Sequence, residues 1–145
     1  MLDISKPVTA QEVFTHVVTH LLQQRCRSIL ETDEEMCAYR GMDDLQCAAG
    51  CCIPDDKYEP IMEGSGIKSI LGLEDRGGAF NDSEEIRKVR ERQPEWRETF
   101  KHLAPHADLL NELQKIHDNE EVCIWFASLE ELAEKSTLQM PEVSR

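Results

Sequence analysis

Residues 9–22 read T-A-Q-E-V-F-T-H-V-V-T-H-L-L, and this stretch decides the fold class. Its apolar residues recur every three or four positions, which places their side chains on one face of an α-helix. Thr9 and Glu12 stand at the two positions of a capping box, in which each side chain satisfies a backbone N–H of the other residue. The stretch predicts an amphipathic first helix whose buried face consists of Val13, Phe14, Val17, Val18, Leu21 and Leu22.

The same helical spacing returns further along the chain. Leu103, Leu109, Leu110, Leu113 and Ile116 form one apolar face, and Trp125, Phe126, Leu129 and Leu132 form another. Ser83 offers a cap for an Arg- and Glu-rich helix that Pro94 is expected to interrupt. These elements predict one domain over residues 1–145, with a flexible tail at 136–145.

Residues 36–47 lack helical spacing. We predict a short strand at 37–40, a turn at 41–44 and a returning strand at 45–47. A hairpin of this size is stable only when it lies against other elements. The predicted fold class is therefore mainly α, formally α+β: a single compact helical domain with a small β-hairpin around residues 36–47.

The composition excludes several classes of protein. No apolar run approaches the ~20 residues that a membrane-spanning helix requires. Sixteen basic residues against 29 acidic ones give a formal net charge of −13. This balance argues against direct binding of nucleic acid, which needs clustered Lys and Arg. The N-terminus lacks the pattern of a secretory signal, so we expect a cytoplasmic protein with reduced cysteines.

Four of the six cysteines lie within sixteen residues, at positions 37, 47, 51 and 52. Thiolates of Cys37, Cys47 and Cys51, with His117 as a fourth ligand supported by Asp118, would suit a tetrahedral Zn²⁺ ion. Only Cys47 and Cys51 have the short spacing typical of such sites, and free cysteine is often buried as a small hydrophobe. Packed thiols without a cofactor are our first interpretation, and zinc is the second.

Catalysis by a cysteine is the third interpretation. Cys47 or Cys51 would act with His117 and Asp118, but neighbouring residues of a helix diverge by about 100° and are not expected to pair. No oxyanion hole or phosphate loop is recognisable, so we assign no catalytic residue. Two histidine pairs have i, i+4 spacing without the glutamate of H-E-x-x-H, and we interpret them as ordinary helix-surface or boundary residues: His16/His20 and His102/His106.

Three motifs carry a resemblance to a known family. C-A-Y-R-G at 37–41, C-A-A-G-C at 47–51 and I-P-D-D at 53–56 resemble a family of short, uncharacterised proteins of tailed phages and bacteria. The run L-L-N-E-L-Q-K-I-H-D-N at 109–119 is similar to a second block of the same proteins. Cys52 departs from the family, which has an aliphatic residue there. The resemblance implies a phage or bacterial origin and brings no established activity.

Together these features predict an acidic, non-enzymatic, phage-type accessory protein that binds and modulates or inhibits a host protein with a basic surface. One route is DNA mimicry by the acidic runs 31–35, 55–63 and 118–121, since carboxylates can imitate phosphates. The contact residues that we predict are Tyr39, Arg40, Asp55, Asp56 and Trp96. The alternative is a small zinc-stabilised or cysteine-dependent enzyme that uses Cys37, Cys47 and Cys51.

Overall fold

A computed structural model describes residues 2–30, 36–74 and 83–143. Within these ranges the chain is mainly helical and contains no β-strand, which confirms the predicted compact helical domain. The α-helices are α1 (Ala10–Gln24), α2 (Ile67–Ile70), α3 (Glu84–Thr99), α4 (Ala107–Asn119) and α5 (Trp125–Lys135). Single 3₁₀ turns cover Met42–Asp44, Gly50–Cys52, Pro60–Met62, Ala104–His106 and Val122–Ile124.

The first helix forms as its sequence predicts. Thr9 Oγ1 accepts a hydrogen bond from the Glu12 N–H, and Glu12 Oε1 accepts one from the Thr9 N–H, both at 3.1 Å. All six apolar residues of the predicted face are buried. They pack on α4 and α5, whose own apolar faces close the core around Trp125, Leu110, Leu113 and Leu129.

Helix α3 corrects one expectation, because it continues through Pro94. The residues on both sides of Pro94 are anchored by contacts with other elements. Gln93 Nε2 donates to the Ser69 carbonyl at 3.0 Å, and Trp96 Nε1 donates to Glu59 Oε2 at 2.6 Å. These contacts hold the helix across the single backbone hydrogen bond that proline cannot make.

The predicted hairpin at 36–47 is not present. Residue 37 pairs instead with an earlier segment, through one antiparallel bridge between Ile29 and Cys37 and a 2.9 Å bond from the Ala38 N–H to the Ser28 carbonyl. The chain does turn at Asp43 and Asp44, which both have positive φ. Residues 45–47 do not return as a strand, because the segment at 28–30 already occupies the hydrogen-bonding edge.

Two further findings concern the ends and surface of the domain. Residues 136–143, where we expected a flexible tail, lie against α1, and Gln139 exchanges two 2.9 Å hydrogen bonds with Gln11. Leu138, Met140 and Val143 pack on the core. Among the described helices, none combines the length and apolar character needed to cross a membrane.

Candidate functional site

The polar side of α1 holds the cysteine-rich segment. His16, His20 and Gln24 lie at successive i, i+4 positions, and each contacts a backbone carbonyl. His16 Nε2 lies 2.8 Å from the Cys51 oxygen, and His20 Nε2 lies 3.0 Å from the Gln46 oxygen. Gln24 exchanges a pair of hydrogen bonds with the Gln46 backbone, at 2.8 and 3.0 Å. Both histidines are half-buried, which agrees with the boundary position that we expected as one of two alternatives.

The segment that contacts His16, His20 and Gln24 of α1 contains three buried cysteines: Cys47, Cys51 and Cys52. Cys47 Sγ accepts from the Gly50 N–H at 3.3 Å, and the Cys51 thiol donates to the Ala48 oxygen at 3.1 Å. Burial raises the pKa of Cys47 to about 12. A hydrogen bond with Cys52, together with burial, raises the pKa of Cys51 well above its ordinary value. Without a bound cation, Cys47 and Cys51 are neutral thiols at physiological pH.

Gly50 allows the backbone of Tyr39 to approach closely. A Cβ at this position would lie 2.4 Å from the Tyr39 carbonyl oxygen, which is closer than any side chain can come. The C-A-A-G-C motif therefore needs its glycine for packing against residues 39–40.

His117 is fully buried and forms the centre of a second cluster. The Ser28 N–H donates to His117 Nε2 at 3.0 Å, so this nitrogen carries no proton. His117 Nδ1 therefore carries the proton of the neutral ring and donates to Asp118 Oδ1 at 2.7 Å. Our expectation that these two neighbours would not pair is wrong, because the imidazole and carboxylate both turn toward the Ser28 side of α4.

Asp118 joins this histidine to Cys37. It accepts from Gln114 Nε2 at 2.6 Å and from the Cys37 thiol. Burial alone would raise the pKa of Asp118, but the hydrogen bonds from His117, Cys37 and Gln114 outweigh burial and lower it. Burial and the charge of Asp118 together raise the pKa of Cys37 to about 12.

The hydrogen-bond arrangement of Cys37, Asp118 and His117 does not suit nucleophilic catalysis by the cysteine. In a cysteine–histidine pair the imidazole takes the thiol proton. Here the Cys37 thiol donates to Asp118, and both nitrogens of His117 are engaged by Ser28 and Asp118. The cluster links Ser28 and Cys37 to α4 and raises the pKa of the Cys37 thiol, whereas a catalytic cysteine needs a lowered pKa.

The four predicted zinc ligands are not assembled in one place. In the described ranges, two groups of three ligand atoms lie within 4.8 Å of one another: His16/Cys51/Cys52 and Cys37/His117/Asp118. The predicted set of Cys37, Cys47, Cys51 and His117 is divided between them, and Cys47 belongs to neither. Metal-ligating side chains are therefore clustered in the structure, in a different combination from the one predicted.

Tyr39 and Arg40, which we predicted as partner contacts, serve the interior instead. Tyr39 is 6% exposed, and its hydroxyl donates to the Ser65 oxygen at 2.5 Å. Arg40 donates to the carbonyls of Gly50 and Ile53 at 2.8 and 2.6 Å, and its guanidinium lies 5.0 Å from the Tyr58 ring centroid. We expected Tyr39 and Arg40 to be exposed because they lie on the predicted hairpin. In the structure their side chains contact the interior of the domain.

Trp96 requires the same correction, because it is 1% exposed. Its Nε1 donates to Glu59, which also pairs with Arg92 at 2.8 Å. The residues next to Trp96 in the sequence are charged and lie on the outer face of α3. Because of these charged neighbours, the sequence wrongly predicted that the Trp96 ring is exposed. Of the predicted contact residues, Asp55 and Asp56 are exposed, and Asp55 pairs with Arg40 at 3.0 Å.

Several site residues gave no signal in the sequence. The Ser28 hydroxyl shares its proton between the carbonyls of Ala38 and Leu45, at 2.7 and 3.0 Å. Glu63 accepts from the backbone N–H groups of Tyr39 and Arg40 at 2.8 and 3.0 Å. Both residues form hydrogen bonds with backbone groups that are distant in the sequence, and no local sequence pattern predicts such contacts.

The carboxylates on α5 form a continuous exposed surface. Positions 124, 127, 131 and 134 follow one another at helical spacing on the side opposite Trp125 and Leu129, and position 130 lies beside them. We call this surface the acidic α5 face, and its residues, all exposed, are Ile124, Ala127, Glu130, Glu131 and Glu134.

The acidic runs predicted for DNA mimicry contribute less than expected. Glu59, Glu63 and Asp118 make internal hydrogen bonds, which removes them from a common outer surface. The run at 31–35 lies outside the described residues. The acidic α5 face was not among the predicted runs.

Comparison of the chain with protein-family models, with curated proteins and with solved structures gives no match. The resemblance to phage proteins stays a prediction, and the functional argument rests on the geometry of the chain itself.

Proposed function

We propose that this protein is a non-enzymatic binding protein that docks its acidic α5 face on a basic surface of another protein and modulates or inhibits it. The observation that carries the proposal is the continuous exposed face of Glu130, Glu131 and Glu134 beside the 46% exposed side chain of Ile124. The carboxylates supply charge complementarity toward a basic partner surface, and the exposed Ile124 offers an apolar contact beside them.

The position of these carboxylates on the helix supports a role in binding. α5 ends at Lys135, so Glu131 and Glu134 lie in its last two turns. The carbonyl end of a helix carries partial negative charge, and an acidic residue in the last turn, as Glu134 is, costs about 0.3–1 kcal/mol. Folding alone does not favour acids at this end. A cationic partner surface, in contrast, would meet the carboxylates and the helix dipole as one negative field.

The candidate reactive groups support a non-enzymatic interpretation. Burial raises the pKa of the Cys37 and Cys47 thiols, and a hydrogen bond with Cys52 together with burial raises that of Cys51, which keeps these thiols protonated and weakly nucleophilic. His117 has no free nitrogen to act as a base. The phage-type setting and the host protein as partner come from the resemblance of residues 37–56 and belong to the proposal.

A capture experiment with charge-reversed variants tests this proposal. Immobilised protein is exposed to a bacterial lysate as wild type, as Glu131→Lys/Glu134→Lys, and as the control Glu85→Lys/Glu91→Lys. The control changes the net charge equally on the exposed side of α3. We expect a stoichiometric partner that the wild type and the control retain, that the α5 variant loses, and that elutes with rising salt.

Two results would contradict the proposal. Equal loss of the partner in both variants would mean that net charge, not the α5 face, governs capture. Undiminished capture by the α5 variant would place the binding surface elsewhere.

A further inference from the structure

Cys51 and Cys52 direct their thiols to the same place. The two Sγ atoms lie 3.1 and 3.9 Å from one acceptor, the carbonyl oxygen of Ala48. A ring nitrogen of His16 joins them, and all three ligand atoms lie within 4.8 Å of one another. We propose that His16, Cys51 and Cys52 bind a Zn²⁺ ion that links α1 to the 3₁₀ turn Gly50–Cys52. This site is independent of the acidic α5 face.

Zinc binding requires the ligand atoms of the three residues, which lie within 4.8 Å of one another, to draw closer together. Bond lengths of about 2.0–2.3 Å place the ligand atoms of a tetrahedral zinc roughly 3.5–3.8 Å apart. The Cys51 carbonyl can only accept, so His16 Nε2, 2.8 Å away, carries the ring proton and the lone pair lies on Nδ1. An imidazole N–H held by a backbone carbonyl is the arrangement that orients a metal-binding histidine.

The net charge of the proposed site favours a divalent ion. On binding, each thiol gives its proton to solvent and forms one bond from sulfur to the metal. Two thiolates, a neutral imidazole and a divalent cation then sum to zero. Cys51 and Cys52 are 8% and 3% exposed, and a net charge at such a depth is costly. A monovalent ion with both thiolates would leave one uncompensated negative charge there.

The site has a route for entry. His16 lines a shallow depression of about 420 Å³ together with Thr9, Gln11, Glu12 and Thr15. Water in this depression can supply the fourth ligand, which leaves three protein ligands and one open position. The other ligand group cannot serve in the same way, because both nitrogens of His117 are already hydrogen-bonded.

Metal titration of the full chain tests the proposal. Cys26 and Cys123 are exposed free thiols, so the parent protein carries serine at both positions to remove adventitious binding. The metal-stripped parent is titrated with Zn²⁺ against a chromophoric chelator, and with Co²⁺ to read thiolate-to-metal charge transfer. The site variants are Cys52→Ala and His16→Gln, which keeps an N–H for the Cys51 carbonyl. The matched control is Cys47→Ala.

We expect one Zn²⁺ per chain and a Co²⁺ charge-transfer band in the parent and the control. Each site variant should bind Zn²⁺ at least about 100-fold more weakly, since even the loss of a group that only orients a ligand costs about 10- to 100-fold in affinity. Zinc should also raise the unfolding temperature of the parent and not that of His16→Gln. Absence of the charge-transfer band in the parent, which needs no variant, would overturn the proposal. So would unchanged zinc affinity in folded His16→Gln.

Discussion

Replacing His117 by Phe removes one buried and one partly buried hydrogen bond and keeps an aromatic ring in the core. The ring contact with Trp125, whose centroid is 5.5 Å away, is retained. The Ser28 N–H loses its acceptor, which costs about 1–3 kcal/mol for a buried donor. The Asp118 side chain is 33% exposed, so water replaces the lost donor and the cost there is about 1 kcal/mol. We expect the free energy of unfolding to fall by about 2–4 kcal/mol.

Urea unfolding followed by circular dichroism measures this loss, with an unchanged m-value as the sign that the folded state is intact. His102→Phe is the matched control, because this half-buried ring has no hydrogen bond in the described part of the chain. The control should change stability by no more than about 0.5 kcal/mol. A loss below about 1 kcal/mol for His117→Phe, or an equal loss in the control, would refute a structural role for the ring nitrogens.

Two further predictions concern titrating groups. Cys37 should be alkylated slowly even near pH 9.0, its ordinary pKa, because burial and Asp118 raise that pKa to about 12. Asp118→Asn should speed alkylation of Cys37 and not of exposed Cys26, as read by peptide mass spectrometry, and an unchanged Cys37 rate would contradict the contact. Burial lowers the pKa of His20 below 6.5, so the unfolded chain takes up this proton first and stability should fall as pH drops below 6.5. His20→Gln keeps a donor for the Gln46 carbonyl and should flatten that part of the pH–stability curve, whereas an identical slope would argue against it.

The helices were predictable because their signals are local. The capping box at Thr9 and the apolar spacing of α1, α4 and α5 depend on residues within a few turns. The partner of residue 37 was not predictable in this way, since pairing with residues 28–30 competes with the hairpin only in three dimensions. Pro94 is a similar case, because contacts of α3 with other elements outweigh the local cost of proline.

The candidate site was predictable in its residues and not in their combination. The crowding of cysteines marked a region in which side chains able to ligate a metal do cluster, around Cys37 and around Cys51 and Cys52. His117 groups with Cys37 and Asp118 and not with Cys47 and Cys51, and its Nε2 accepts from Ser28, 89 positions away, a contact that no local pattern predicts. Cys52 departs from the resembling family, yet its thiol converges with that of Cys51 on the Ala48 carbonyl oxygen.

Binding and stability measured together on Glu131→Gln/Glu134→Gln give the most direct test of the proposed function. This variant removes two charges from the acidic α5 face without adding new ones. Affinity for the captured partner at low salt should fall at least about tenfold, a change of about 1.4 kcal/mol. The unfolding temperature should stay the same or rise, because acids at the end of a helix are unfavourable. Unchanged affinity in this equally stable variant would contradict the central claim that the protein binds through α5.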